Sequence, residues 1–120
     1  MANTNVYNIK KHVQGSTFKG VTFEIKLNDI PLDLTGAVIE MQLDSVISPY
    51  PTALTLSTVE GNEKIVILQP PTDGKFRVIP QIINIPLGLY NYDIKITTAD
   101  DVIRKPINGK WQIVKSATYD

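Results

Sequence analysis

The residue types that perform most protein chemistry are thinly spread in this chain. It has one histidine, His12, and no cysteine among its 120 residues. A Cys–His nucleophile pair, a thiolate metal site and a multi-histidine metal site are therefore ruled out by composition. Serines and aspartates are present, so a Ser–His–Asp arrangement is arithmetically open. No serine, however, lies in a Gly-x-Ser-x-Gly nucleophile turn. His12 follows Lys10 and Lys11, and this basic first segment predicts a surface position for it. Asp73, Asp100 and Asp101 lack the ligand spacing of a calcium loop, and turn chemistry accounts for them better. Asn108-Gly109 reads as a two-residue turn rather than a phosphate loop. Tyr90 and Tyr92 lie two apart, so on a strand both rings point the same way. Buried there, each hydroxyl needs a partner, and a corner tyrosine bonded to loop backbone is the expected role. Asp93 would point to the opposite face, as a solvated strand residue or a turn acceptor rather than a catalytic acid. No catalytic residue, metal or cofactor is expected.

The elements that would carry these residues are strands. Val21, Phe23, Ile25 and Leu27 alternate with polar residues, giving one apolar face and one wet face. Asn28-Asp29 then reads as a hairpin turn. Ala37, Ile39, Met41 and Leu43 alternate in the same way, as do Tyr90, Tyr92, Ile94 and Ile96. Leu54 with Leu56, Ile65 with Ile67, Phe76 with Val78, and Trp111 with Ile113 mark shorter strands. Gly36 and Gly88 supply positive φ before two of the strands. Pro80 to Pro86 is apolar but proline-flanked, and is read as a crossing loop or a short 3₁₀ turn. The eight prolines are unfriendly to helix interiors. Turn signals recur roughly every 8–12 residues, which predicts a single all-β domain over residues 1–120, an antiparallel sandwich of about eight strands. Residues 1–5 are expected to form a flexible arm. The expected core is Val21, Phe23, Ile25, Leu34, Ile39, Met41, Leu54, Leu56, Ile65, Ile67, Phe76, Val78, Tyr92, Ile94, Ile96, Trp111 and Ile113.

Composition narrows the class further. Lys+Arg and Asp+Glu are both 12, so no excess positive charge is available for phosphate neutralisation, and no nucleic-acid partner is expected. No apolar run approaches the roughly 20 residues of a membrane helix, and the polar start Met1-Ala2-Asn3-Thr4-Asn5 does not read as a signal peptide. Neither a membrane nor a small-molecule substrate is expected.

The order and spacing of several short motifs carry a resemblance. They are Gly15-Ser16-Thr17-Phe18, the strand from Val21 to Leu27, the Pro31-Leu32-Asp33-Leu34-Thr35-Gly36-Ala37 element leading into Met41-Gln42, the strand from Gly88 to Ile96, and Gly109 to Thr118. Together they cover about residues 6 to 118, and in this order they resemble the immunoglobulin-like β-sandwich modules of tailed-phage virions. Baseplate upper proteins, head fibres and tail appendages contain such modules. The loop Ser48-Pro49-Tyr50-Pro51 departs from the pattern and reads as an elaborated edge. The resemblance implies a non-enzymatic virion protein, made in a bacterial cytoplasm, that assembles with itself or with other virion structural proteins. A head-fibre or capsid-decorating subunit is the first expectation and a baseplate or tail adaptor the second. A stand-alone carbohydrate- or host-surface-binding sandwich is the alternative from another class. The aromatics that would build its platform, Tyr7, Tyr50, Tyr90 and Tyr119, are scattered along the chain. Interface candidates are Val6, Tyr7 and Ile9, in a segment expected to swing before Gly15, and Tyr50.

Overall fold

The computed structural model describes residues 5–48, 50 and 52–115. Thirteen strands lie in four sheets, and a single 3₁₀ turn at Pro71–Asp73 is the one helical element among the described residues. The large sheet contains β7 (Val38–Ser45), β8 (Leu54–Ser57), β12 (Gly88–Thr97) and β13 (Ile103–Val114), in the order β8-β7-β12-β13. On the far side of β13 run β1 (Asn5–Val6) and β2 (Ile9–Val13), both parallel to it. A three-stranded sheet has β10 (Lys75–Val78) between β4 (Val21–Glu24) and β9 (Ile65–Ile67). Two short ribbons pair β3 (Thr17–Phe18) with β11 (Gln81–Ile82), and β5 (Lys26–Leu27) with β6 (Ile30–Pro31). The protein is all-β with several sheets, an arrangement compatible with a sandwich.

Period-two alternation builds the core. Ile39, Met41 and Leu43 of β7 and Tyr90, Tyr92, Ile94 and Ile96 of β12 face the same side as Ile107, Trp111 and Ile113 of β13. They join Phe23, Ile65, Phe76 and Val78 from the three-stranded sheet in one apolar cluster. Fully burying each such side chain contributes about 1.5–3 kcal/mol. Of the expected core, Val21, Leu54 and Ile67 are only half-buried at its margin. Ile83 and Ile85 are buried as well.

Several expectations are corrected. Thirteen strands replace about eight, because long alternating runs are cut where the chain changes partner. The run from Val21 to Leu27 breaks at Ile25, whose N–H donates to Gly74 O (2.8 Å) while its carbonyl accepts from Leu32 N (2.9 Å). The ladders are not all antiparallel, since β1 and β2 run parallel to β13. The first segment therefore does not swing. Asn5 is in β1, whereas residues 1–4 of the expected arm lie outside the described residues. Asn108-Gly109 is not a turn but lies inside β13, opposite Asp93 and Tyr92. The β12–β13 turn is at Thr98–Val102 instead, closed by Thr98 N to Val102 O (3.0 Å), with Asp101 at φ 65°. Pro106 falls where the β12–β13 register shifts, a position that tolerates its missing N–H. Part of the Pro80–Pro86 stretch is the paired strand β11. Asn28 and Asp29 do form the expected tight hairpin, both with positive φ (53° and 64°), and Gly36 has the expected positive φ of 70°.

Candidate functional site

Tyr7, Tyr92 and Gly109 explain how the first segment is held. The Tyr7 N–H donates to Asn108 O (2.8 Å), and the Tyr92 hydroxyl donates to the Tyr7 carbonyl. That carbonyl arrives over Gly109, where an added Cβ would lie 2.0 Å from Tyr7 O and 2.9 Å from the Tyr92 ring. No side chain fits that gap. The Tyr7 ring meets Phe23 edge-on at 5.5 Å, and so bridges from β13 toward the three-stranded sheet. Burial, and secondarily the nearby Tyr7 phenol, holds the Tyr92 hydroxyl well above its ordinary value. Tyr90 takes the corner role, donating to Pro86 O at 2.6 Å.

His12 is buried rather than exposed, at 8%. Between Trp111 and Ile113 the register with β2 shifts, so Lys10 and Lys11 together oppose Gln112. This bulge reverses the alternation after Ile9 and turns His12 inward. Its Nε2 is 3.0 Å from Ser16 O, which can only accept, so that nitrogen bears the proton. The ring packs against Phe18 and Trp111. It is a core histidine.

Of the acids expected in turns, Asp73 lies in the 3₁₀ turn and Asp100 and Asp101 in the β12–β13 turn; Asp33, not singled out from the sequence, also serves a turn. Asp33 Oδ1 accepts from Thr35 N (2.9 Å) and Thr35 Oγ1 (2.6 Å), and these bonds lower its pKa. Thr98 Oγ1 donates to Asp100 Oδ1 (2.5 Å) and, as the largest influence, lowers that carboxyl too. Among the described residues no group of three or more His, Cys, Asp or Glu could hold a metal ion.

Two surfaces remain. The first carries exposed apolar residues near one end of the large sheet. Val46 N donates to Leu89 O (3.0 Å), which sets Val46 opposite Leu89. Ile47 is 92% exposed and Tyr50, in the same β7–β8 connection, 87%. Pro49 and Pro51, which flank Tyr50, lie outside the described residues, as does Tyr119. Of the interface candidates, Val6 on β1 and Tyr7 are exposed, at 70% and 46%, while Ile9 is half-buried. The first three candidates share one sheet edge, and Tyr50 is on the connection that leads to the other edge. Ile47, Leu87 and Leu89 were not expected as part of a surface. In the sequence each reads as an ordinary strand or loop residue.

The second surface is the solvent side of the large sheet. The ladder aligns Asp44, Asn91 and Lys110 in one row and Gln42, Asp93 and Asn108 in the next. Asn8, Asp44, Asn91, Asp93, Asn108 and Lys110 line a concavity of about 510 Å³. Lys110 Nζ donates to Asn91 Oδ1 (2.8 Å), and Lys110 N to Asn8 Oδ1 (3.0 Å). Asp93 stands 4.0 Å from Lys105 Nζ. Asp44 Oδ1 is buried without a hydrogen-bond donor.

Compared with protein-family models, with curated proteins and with solved structures, the chain matches none.

Proposed function

We propose that this protein is a non-enzymatic assembly module of a tailed-phage virion, built on an immunoglobulin-like sandwich. A head-fibre or capsid-decorating subunit is the preferred placement and a baseplate or tail adaptor the alternative. The observation that supports assembly is the exposure of large apolar side chains in the β7–β8 connection (Val46, Ile47 and Tyr50) and at the start of β12 (Leu87 and Leu89). Large apolar side chains left in water favour burial against a partner. The phage context rests on the order and spacing of the sequence motifs. Strand edges offer a second means of contact, although not every edge is open. The outer side of β8 is capped where Asn62 Nδ2 donates to Thr55 O (2.9 Å).

Sedimentation or light scattering on the full chain tests the assembly, alongside Ile47→Asp. We expect a concentration-dependent oligomer, and we expect the variant to lose it with unchanged circular dichroism. Mass spectrometry of purified phage particles tests the context, where the protein should appear at structural stoichiometry. A monomer at every concentration together with absence from particles would reject the reading.

A further inference from the structure

Asn108-Gly109 is the one Asn-Gly pair in the chain. Its glycine is obligatory, because a Cβ there would collide with the Tyr7 carbonyl. Its asparagine is exposed on the solvent side of the large sheet. An asparagine followed by glycine is the dipeptide most open to attack by its own backbone, since glycine has no side chain to shield its nitrogen. In that reaction the Gly109 amide nitrogen gives up its proton and bonds to Asn108 Cγ. The Cγ–Nδ2 bond breaks, ammonia leaves, and a cyclic succinimide remains. Water then opens the ring at either carbonyl, giving aspartate or isoaspartate at 108.

The closed sheet withholds the nucleophile. Asn108 O accepts from Tyr7 N (2.8 Å), and Lys110 N donates to Asn8 Oδ1 (3.0 Å). Both residues therefore turn their backbone polar groups to the first segment. These groups alternate sides along a strand, so Gly109 between them faces β12, where it pairs with Tyr92. Its N–H is held in the ladder. Attack needs that nitrogen free and the Asn108 ψ rotated out of the extended region. Here β13 has neighbours on both sides, β12 and the first segment, so fraying of an outer edge does not release it. We propose that Asn108-Gly109 is a latent self-modification site, unreactive in the closed sheet and set free when the first segment undocks and β13 opens. The reaction does not reverse, so the product records the opening. Isoaspartate also adds a methylene to the backbone of β13, which shifts the residues beyond 108 against their partners on β12. The inference goes beyond the assembly reading and does not rest on it.

The test incubates the full chain at mildly alkaline pH, once in buffer and once unfolded in guanidinium chloride. Peptide mass spectrometry reads the conversion of amide to acid at 108 and the isoaspartate fraction. We expect the unfolded chain to convert there ahead of its other asparagines. The folded chain should convert at least about a hundredfold more slowly, because open chains are rare. Tyr92→Phe removes the hydroxyl that holds the Tyr7 carbonyl. With its fold checked by circular dichroism, it should convert about fivefold faster than the folded wild type. A second measurement needs no variant. In wild type under sub-denaturing urea, the conversion rate should rise in step with hydrogen exchange at the Tyr7 amide. Four results would each overturn the proposal: no conversion at 108 in the unfolded chain, equal rates folded and unfolded, a folded Tyr92→Phe chain that converts at the wild-type rate, or conversion that does not follow Tyr7 exchange.

Discussion

Tyr7, Tyr92 and Gly109 form one unit, and each can be probed singly. Gly109→Ala places a methyl group 2.0 Å from the Tyr7 carbonyl, and backbone cannot yield as a flexible side chain does. We expect a loss of about 1–3 kcal/mol or more, as for overpacking elsewhere. The Tyr7 amide, which donates to Asn108 O, should lose its hydrogen-exchange protection first. Unchanged protection there would show that Gly109 is not needed for the strand to seat. Tyr92→Phe removes a hydroxyl donor at a cost of about 1 kcal/mol at neutral pH. Its pH dependence is more telling. The folded Tyr92 phenol is held above its ordinary value of 10.0, chiefly by burial. A proton held more tightly in the folded state stabilises it fully below pH 10, and that stability is lost as the pH rises beyond. The wild-type urea midpoint should therefore fall on the alkaline side of pH 10, and Tyr92→Phe should fall less. Some slope should persist in the variant, because burial also raises Tyr90. Equal alkaline slopes would place the effect elsewhere.

At the scale of the element, the first segment is part of the large sheet. Removing residues 1–9 takes away β1, the acceptor of the Tyr92 hydroxyl and the Asn8 contact to Lys110 N. It also bares the edge of β13 over Ile107 to Lys110. A segment that swings before Gly15, as read from the sequence, would leave a folded domain on deletion and weaken assembly. The pairing argues for a lower urea midpoint in the truncated chain and for a greater tendency to aggregate through the bared edge. An unchanged midpoint would restore the picture of a loose arm. The contrast shows what local pattern can reveal. β7 and β12 were legible because one face of each is buried, which writes strict alternation into the sequence. Asn28-Asp29 was legible because its positive φ values are decided within the hairpin. Asn108-Gly109 has the same local chemistry but was misread, since the reason for its glycine is a carbonyl about a hundred residues away. His12 was misread for a similar reason, because the bulge opposite Gln112 that turns it inward depends on pairing with the last strand. The candidate site was the least legible part. Asn8, Asp44, Asn91 and Lys110 come from four separate segments, and only the sheet register brings them together. Of the interface candidates named from the sequence, Val6 and Tyr50 are both exposed.

For the whole molecule, the first and last strands are neighbours. Asn5 pairs with Ile107 and Val13 with Val114, so segments about a hundred residues apart must meet before the large sheet can close. Other long-range ladders, β4 with β10, β7 with β12 and β3 with β11, also join distant segments. Loop-closure entropy grows only slowly with separation, so this topology reduces stability little. It acts on rate, because those loops close before the contacts that stabilise them exist. Trp111 is a suitable reporter, since it is fully buried between β12 and β2 and packs against both His12 and Phe18. Its fluorescence should shift to the blue only when the first segment and the β3–β11 ribbon have reached β13. Refolding from urea, followed by stopped-flow, should therefore occur in about milliseconds to seconds, the range of β-rich domains with distant pairings. Gly109→Ala should slow the blue shift if the first segment docks in the transition state, and should chiefly speed unfolding if it docks afterwards. Refolding in microseconds would mean that the indole is covered by local contacts alone, and the pairing of the two chain ends would then contribute nothing to closing the core.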